Sequence, residues 1–182
     1  MKTCSCKVKL KPNKLEVLIL LLATSIIPSS ILAFLLLKNN NFNYFKFISY
    51  YFLIFLILIT IFDFLLNKAY LALFFGCHGK KERSFKFIHK YFSLCARCSG
   101  IYLGIISFPL LLLFNFNYNY LLLFMIPLII DGILQKTTSY FSNNFKRVLT
   151  GYLFGIAFIV LLSNIFYYYS LFIIYLSRLI YS

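Results

Sequence analysis

Along most of this chain, polar residues only interrupt apolar sequence. Runs of Leu, Ile, Phe and Tyr long enough to cross a bilayer, about 20 residues each, recur over residues 15–37, 47–67, 99–116, 118–135 and 148–168. The pattern predicts an all-α helical bundle of five membrane spans. The third and fourth runs are short, and only the linker NFNYN (residues 115–119) separates them. That spacing fits a tight antiparallel pair of helices. Residues 169–182 either extend the fifth span or lie in the interface, and the pattern leaves both readings open. The first run holds Pro28 followed by Ser29 and Ser30. This predicts a kink whose freed backbone groups the serines satisfy. A cleaved signal peptide would share the basic start, but the apolar run outlasts an h-region of about 7–15 residues, and Glu16 opens it. It reads as an uncleaved span.

Composition agrees with the pattern. The chain is 62% hydrophobic and 12% charged, against about 25% charged in soluble domains. The formal charge of +14 calls for no nucleic-acid partner, because its distribution follows the positive-inside rule. Lys2, Lys7, Lys9, Lys11 and Lys14 precede the first span. Lys68, Lys80, Lys81, Arg83, Lys86, Lys90 and Arg97 fill the loop after the second, and Lys136, Lys146 and Arg147 follow the fourth. Lys38, Lys46 and Arg178 fall on the other side. The expected topology is therefore N-terminus and 68–97 loop in the cytoplasm, in a multi-pass protein of a prokaryotic cell membrane. The expected organisation is a basic tail (1–14), two anchoring spans (15–67), a core with the polar loop and three spans (68–155), and a remainder (156–182).

Against this uniform background the unusual residues cluster. All seven glycines lie between Gly76 and Gly155. Gly100 with Gly104, and Gly151 with Gly155, form G-x-x-x-G pairs that let helix backbones approach closely in lipid. Helix packing is their expected role. Asp131 and Gln135 stand one helical turn apart on one face. A carboxylate within a span is costly and is expected to face the bundle interior, with Arg97 or Arg147 as its partner. Asp63 lies near the inner end of the second span. These groups are all expected at one membrane face, the face from which the Cys/His loop enters.

That loop carries the candidate chemistry. Cys95 and Cys98 form C-A-R-C, and Cys77 and His78 lie upstream. A C-x-x-C turn directs two thiolates at one ion, and a Cys or His some seventeen residues away completes the shell once the chain doubles back. Zinc takes such sulfur and nitrogen sets, and thiols clustered in a reducing cytosol bind metal or do redox work more often than they form disulfides. Adjacent Cys77 and His78 do not readily bind one ion together, so either one ligates, with His89 or water as the fourth ligand. Three protein ligands plus water is the open arrangement of a catalytic zinc. Two other readings stand beside metal: a redox or nucleophilic thiol activated by Arg97, and buried cysteines acting as small apolar residues. Cys4 and Cys6 make a second pair, C-x-C, of a kind that soft metals use, in a terminal tail.

The segments CHGKKERSF, LCARCSGIYLG, DGILQ and SNNFKRVLTGYLFG together resemble the DUF2085 family of small membrane proteins. The matching positions are Cys77, His78, Arg83, Ser84, Cys95, Arg97, Cys98, Gly100, Tyr102, Gly104, Asp131, Gln135, Asn143 or Asn144, Arg147, Thr150 and Gly151. The resemblance covers residues 70–155 and implies a polytopic membrane protein without supplying a mechanism. His89 falls at a position the pattern does not mark. The leading expectation is a cytoplasmic-face zinc site on Cys77, His78, Cys95 and Cys98. Around it Arg83, Arg97, Asp131, Gln135 and Arg147 form a polar shell or hold an anion, since the planar Arg fork suits that role. The rival expectations are an enzyme acting on a lipophilic or phosphate-bearing substrate through metal-bound water or a thiolate, and a metal or ion transporter with Asp63 and Asp131 along its path.

Overall fold

The computed structural model of the chain describes residues 13–38, 42–66, 68–77, 84–87, 90–114, 117–138 and 142–181. Cys4, Cys6, His78, Arg83 and His89 lie outside the described residues, as do Lys2, Lys7, Lys9, Lys11, Lys80 and Lys81. The elements run α1 (Lys14–Lys38), α2 (Tyr44–Leu65), α3 (Tyr70–Phe74), β1 (Ser84–Phe87), β2 (Lys90–Cys95), α4 (Ala96–Leu111), a 3₁₀ segment (Tyr118–Met125), α5 (Ile126–Thr137) and α6 (Asn144–Tyr181). Among the described residues four helical stretches are long and apolar enough to cross a membrane: Leu15–Lys38, Tyr44–Leu65, Tyr118–Thr137 and Asn144–Ile180. Ala96–Leu111 is a shorter apolar helix beside them.

Local chemistry accounts for the ends of these elements. The Asn13 amide donates to Glu16 Oε2 at 2.8 Å, one half of a capping box. Asn43 caps α2 by accepting from the Lys46 amide at 3.1 Å. Within α1, Ser29 Oγ donates to the carbonyls of Ser25 and Ile26, and Ser30 Oγ to that of Ile27. These bonds fall on the turn before Pro28, next to the Thr24 carbonyl whose helical donor the missing Pro28 amide withdraws. Pro127 lies in the first turn of α5. Its missing N–H withdraws the α-helical partner of the Leu123 carbonyl, which falls where 3₁₀ geometry gives way to α.

The bundle centres on α4 and α6, which run parallel and pack more closely than any other pair. α1 and α2 lie against α6, and α2 also covers α4. Phe52, Leu56 and Ile59 of α2, Ile105 and Phe108 of α4, and Ile156, Ile159 and Val160 of α6 share one apolar core. Hydroxyl pairs cross it: Thr60 with Tyr102 at 2.9 Å, and Ser107 with Tyr152 at 3.0 Å. Ser170 Oγ donates to the Ser29 carbonyl, tying α6 to α1 at 3.2 Å. Large apolar side chains such as Ile54, Leu58, Ile61, Ile129 and Ile133 are exposed, as lipid-facing positions are.

Three outcomes differ from the expected boundaries. The fifth run starts at Asn144 and continues as one helix to Tyr181, so residues 169–181 extend it. The third ends at Leu111 rather than 116. The 68–97 loop contains a short helix and a β-hairpin instead of plain coil: SFKF alternates polar and apolar residues, and it pairs antiparallel with the aromatic-bearing KYFSLC. Helical periodicity governs the rest of the chain, and the molecule is an all-α membrane bundle carrying this one hairpin among its described residues.

Candidate metal centre

The approach to the cysteines begins inside the bundle. Asp63, 3% exposed, accepts from the amides of Tyr70 at 2.6 Å and Leu71 at 3.4 Å. A carboxylate at this point supplies the acceptor that the free amides of α3 require. The helix lasts five residues. It ends where Gly76 takes φ +57°, with the Gly76 amide donating to the Leu73 carbonyl and the Cys77 amide to that of Ala72. This is the paired bonding of a Schellman motif, and it sets Cys77 immediately after the turn. Asp63 thus has a defined partner, as the first acceptor of the element that carries Cys77.

From the other direction, β2 ends at Cys95, which is also the N-cap of α4. Cys98 follows in the first helical turn. The sulfurs of Cys77, Cys95 and Cys98 all lie within 4.8 Å of one another, and each residue is half-buried. Three sulfurs at about 2.3 Å from a tetrahedral ion stand roughly 3.8 Å apart, so the cluster fits a single metal with little adjustment. The Cys95 amide donates to Cys77 Sγ at 3.2 Å, the bond a thiolate ligand takes from its surroundings. The Cys95 thiol is held well below the ordinary thiol range. The leading cause is hydrogen bonding to Cys77, then to Cys98, with the backbone amides of Cys98 and Arg97 adding to it against the opposing effect of burial. A helix N-terminus favours negative charge at this place.

Arg97 stands between the two helical cysteines and turns away from them. Its guanidinium pairs with Asp131 of α5, and Gln135 Nε2 donates to the same carboxylate oxygen at 2.8 Å. Asp131 is 7% exposed. Arg97, not Arg147, is its partner. The Arg97 Nε is buried with no partner among the described residues. Arg147 lies half-buried in the first turn of α6, where its carbonyl accepts from Thr150 Oγ1 at 3.3 Å.

The glycines bring the cysteine-bearing helix against α6. A Cβ built on Gly100 would stand 2.2 Å from the Val148 carbonyl oxygen, and one on Gly104 2.3 Å from that of Tyr152. On the facing helix, Gly151 meets the Arg97 carbonyl and Gly155 that of Ile101, each at 2.3 Å. No side chain fits in either direction. Arg97 therefore belongs to the helix contact through its backbone and to the ion pair through its side chain.

The residues assembled here coincide with the part of the chain that other proteins share. A family model described as "Predicted membrane protein (DUF2085)" matches residues 77–161. An uncharacterised protein of Methanothermobacter thermautotrophicus is 41% identical over 91 residues, 47% of this chain and 82% of that one. The chain belongs to the DUF2085 family. A second relative, an uncharacterised protein of Methanocaldococcus jannaschii, is 29% identical over 99 residues, 50% of this chain and 64% of that one. No solved structure matches. The DUF2085 region opens at Cys77 and closes within α6, so it holds the three clustered cysteines, the Arg97–Asp131–Gln135 group and both glycine pairs. α1 and α2 precede it.

Sequence reasoning missed the role of Asp63 and the hairpin that returns the chain to Cys95. The alternation of SFKF and the aromatic residues of KYFSLC were the available signals for the hairpin. For Asp63 there was none, because the amides that donate to it lie seven and eight residues away.

Proposed function

We propose that this chain is a multi-pass cell-membrane protein with a zinc centre at the cytoplasmic end of its bundle. Cys77, Cys95 and Cys98 supply three thiolates, and His78 or water supplies the fourth ligand. The observation that carries the reading is the convergence of three sulfurs from a Schellman turn and a helix N-terminus onto a volume that fits one ion. The donor set favours a soft, thiolate-seeking metal over magnesium or calcium. Arg97, Asp131, Gln135 and Arg147, with Arg83, form the polar surroundings of that centre. Purified in detergent, the protein should hold about one zinc per chain, and a Cys95→Ser/Cys98→Ser variant should hold none. Wild-type metal no higher than that variant's background would remove the reading and leave a thiol role.

A second reading rests on the buried Arg97 Nε, which has no partner among the described residues. An anionic group of a lipophilic or phosphate-bearing substrate would supply its acceptor, and a zinc with water in the fourth position would supply a nucleophile. Hydrolysis of lipid-linked phosphate by the metal-loaded protein, lost on Arg97→Lys with metal retained, is the outcome that separates this enzyme from a purely structural centre. Ion transport draws less support, since the Asp63 carboxylate is engaged by α3 amides and Asp131 by Arg97 and Gln135.

A further inference from the structure

At the end of α2 remote from the cysteines, the helix bears a groove of about 470 Å³, within the range of ligand sites, about 300–1,000 Å³. Phe42, Phe47, Tyr50 and Ile54 give it apolar and aromatic walls, and Asn43 and Lys46 are its polar lining residues. Tyr51 closes one side and is fixed there, its hydroxyl donating to the Ala23 carbonyl of α1. Tyr50 is 50% and Ile54 57% exposed, so the groove opens sideways, toward lipid.

Three features select its occupant. Lys46, Tyr50 and Ile54 follow one another at i, i+4 and i+8 along a single face, a rise of about 12 Å. A hydrocarbon leaflet is roughly 15 Å deep, so the groove covers the depth of one acyl chain from headgroup level inward. Aromatic residues at its mouth match the interfacial belt. The Lys46 ammonium makes no ion pair among the described residues, and the chain's four acidic residues are Glu16, Asp63, Glu82 and Asp131. The three of these that are described are engaged elsewhere: Glu16 by Lys68, Asp63 by the amides of α3, and Asp131 by Arg97. An unneutralised cation at the top of an apolar channel fits a lipid phosphate.

We propose that this groove is a binding site for an anionic phospholipid of the adjacent leaflet, with its phosphate on Lys46 and an acyl chain along Phe47, Tyr50 and Ile54. The inference is independent of the metal centre. The full chain in mild detergent, titrated with phosphatidylglycerol or phosphatidylcholine, is read by native mass spectrometry. Phosphatidylglycerol should be retained in preference. Lys46→Ala should cut its retention about fivefold, the equivalent of about 1 kcal/mol per basic residue near an anionic lipid surface. Lys46→Arg should preserve it, and Lys136→Ala, at the opposite end, should leave it unchanged. Equal retention of both lipids, or a preference that survives Lys46→Ala, overturns the site. So does a dimer that Lys46→Ala or Tyr50→Ala dissolves, since the groove would then hold a second copy of the chain.

Discussion

At Gly76 the backbone takes a left-handed φ of +57°, and the next residue is the first of the three clustered cysteines. Space does not require glycine there, because a Cβ would meet nothing within 4 Å. Conformation does. Gly76→Ala should destabilise the fold by about 1–2 kcal/mol and lower zinc retention alongside, read as a fall in Tm and in metal content. Equal metal content in the two proteins would mean that the turn does not direct Cys77. Arg97 and Asp131 make the complementary case, in which the side chains matter together. Removing Arg97 leaves the buried Asp131 carboxylate without its cation, at a cost of about 3–5 kcal/mol, and removing Asp131 costs less because Arg97 is only half-buried. The double change Arg97→Met/Asp131→Leu should be milder than either single one in thermal unfolding. The sequence named these residues as candidates from type and spacing. It did not choose between Arg97 and Arg147, since both stand at helix starts on the same side. The choice came from where α5 lies.

Among the elements, α4 and α6 have the closest contact. Four glycines and four facing carbonyls interlock along it, which permits weak Cα–H···O bonds and tight dispersion contact in a medium with no hydrophobic drive between helices. Gly100→Ala puts a methyl 2.2 Å from a backbone oxygen. The helices must then separate, with an expected loss of about 1–3 kcal/mol and a displaced Arg97 carbonyl. Gly132→Ala in α5, where nothing stands within 4 Å, should instead be neutral or stabilising by roughly 0.5–1 kcal/mol. Thermal unfolding of the two variants side by side checks both, and equal effects would deny the interlocking. The G-x-x-x-G spacing was legible in the chain. Which helices it joined was not, because small-residue pairs name no partner. The hairpin β1–β2 and the short α3 were hidden for another reason: both are brief, and their stability comes from Asp63 and from the strand pairing rather than from a long periodic signal.

For the molecule as a whole, α6 runs 38 residues, some 57 Å at 1.5 Å per residue, well beyond a hydrocarbon core of about 30 Å. α4, with 16 residues, is shorter than that core. Both helices begin at the same end, locked by the glycines, so the surplus of α6 extends past the opposite end, where it packs on α1 through Ser170 and Ser29. From the distribution of basic residues we propose that the shared starting end faces the cytoplasm. A thiol reagent that cannot cross membranes should therefore label a Lys38→Cys variant in intact cells at the new site and leave Cys77 unlabelled until the cells are permeabilised and treated with a chelator. Labelling of Cys77 in intact cells would reverse the orientation.

Apolar run length determined from sequence alone that this is a helical membrane protein. The scarcity of Cys, Arg and Gly against a uniform background marked the region where its chemistry lies. Those properties are additive along the chain, so they survive without coordinates. Only the tertiary structure decided that Asp63 starts the element leading to Cys77, that the sulfurs of Cys77, Cys95 and Cys98 converge, and that Arg97 rather than Arg147 meets Asp131. The last two depend on distances between segments 18 to 34 residues apart, and the first on amides seven and eight residues on, beyond the reach of any helical period, so none of them is written in the local pattern.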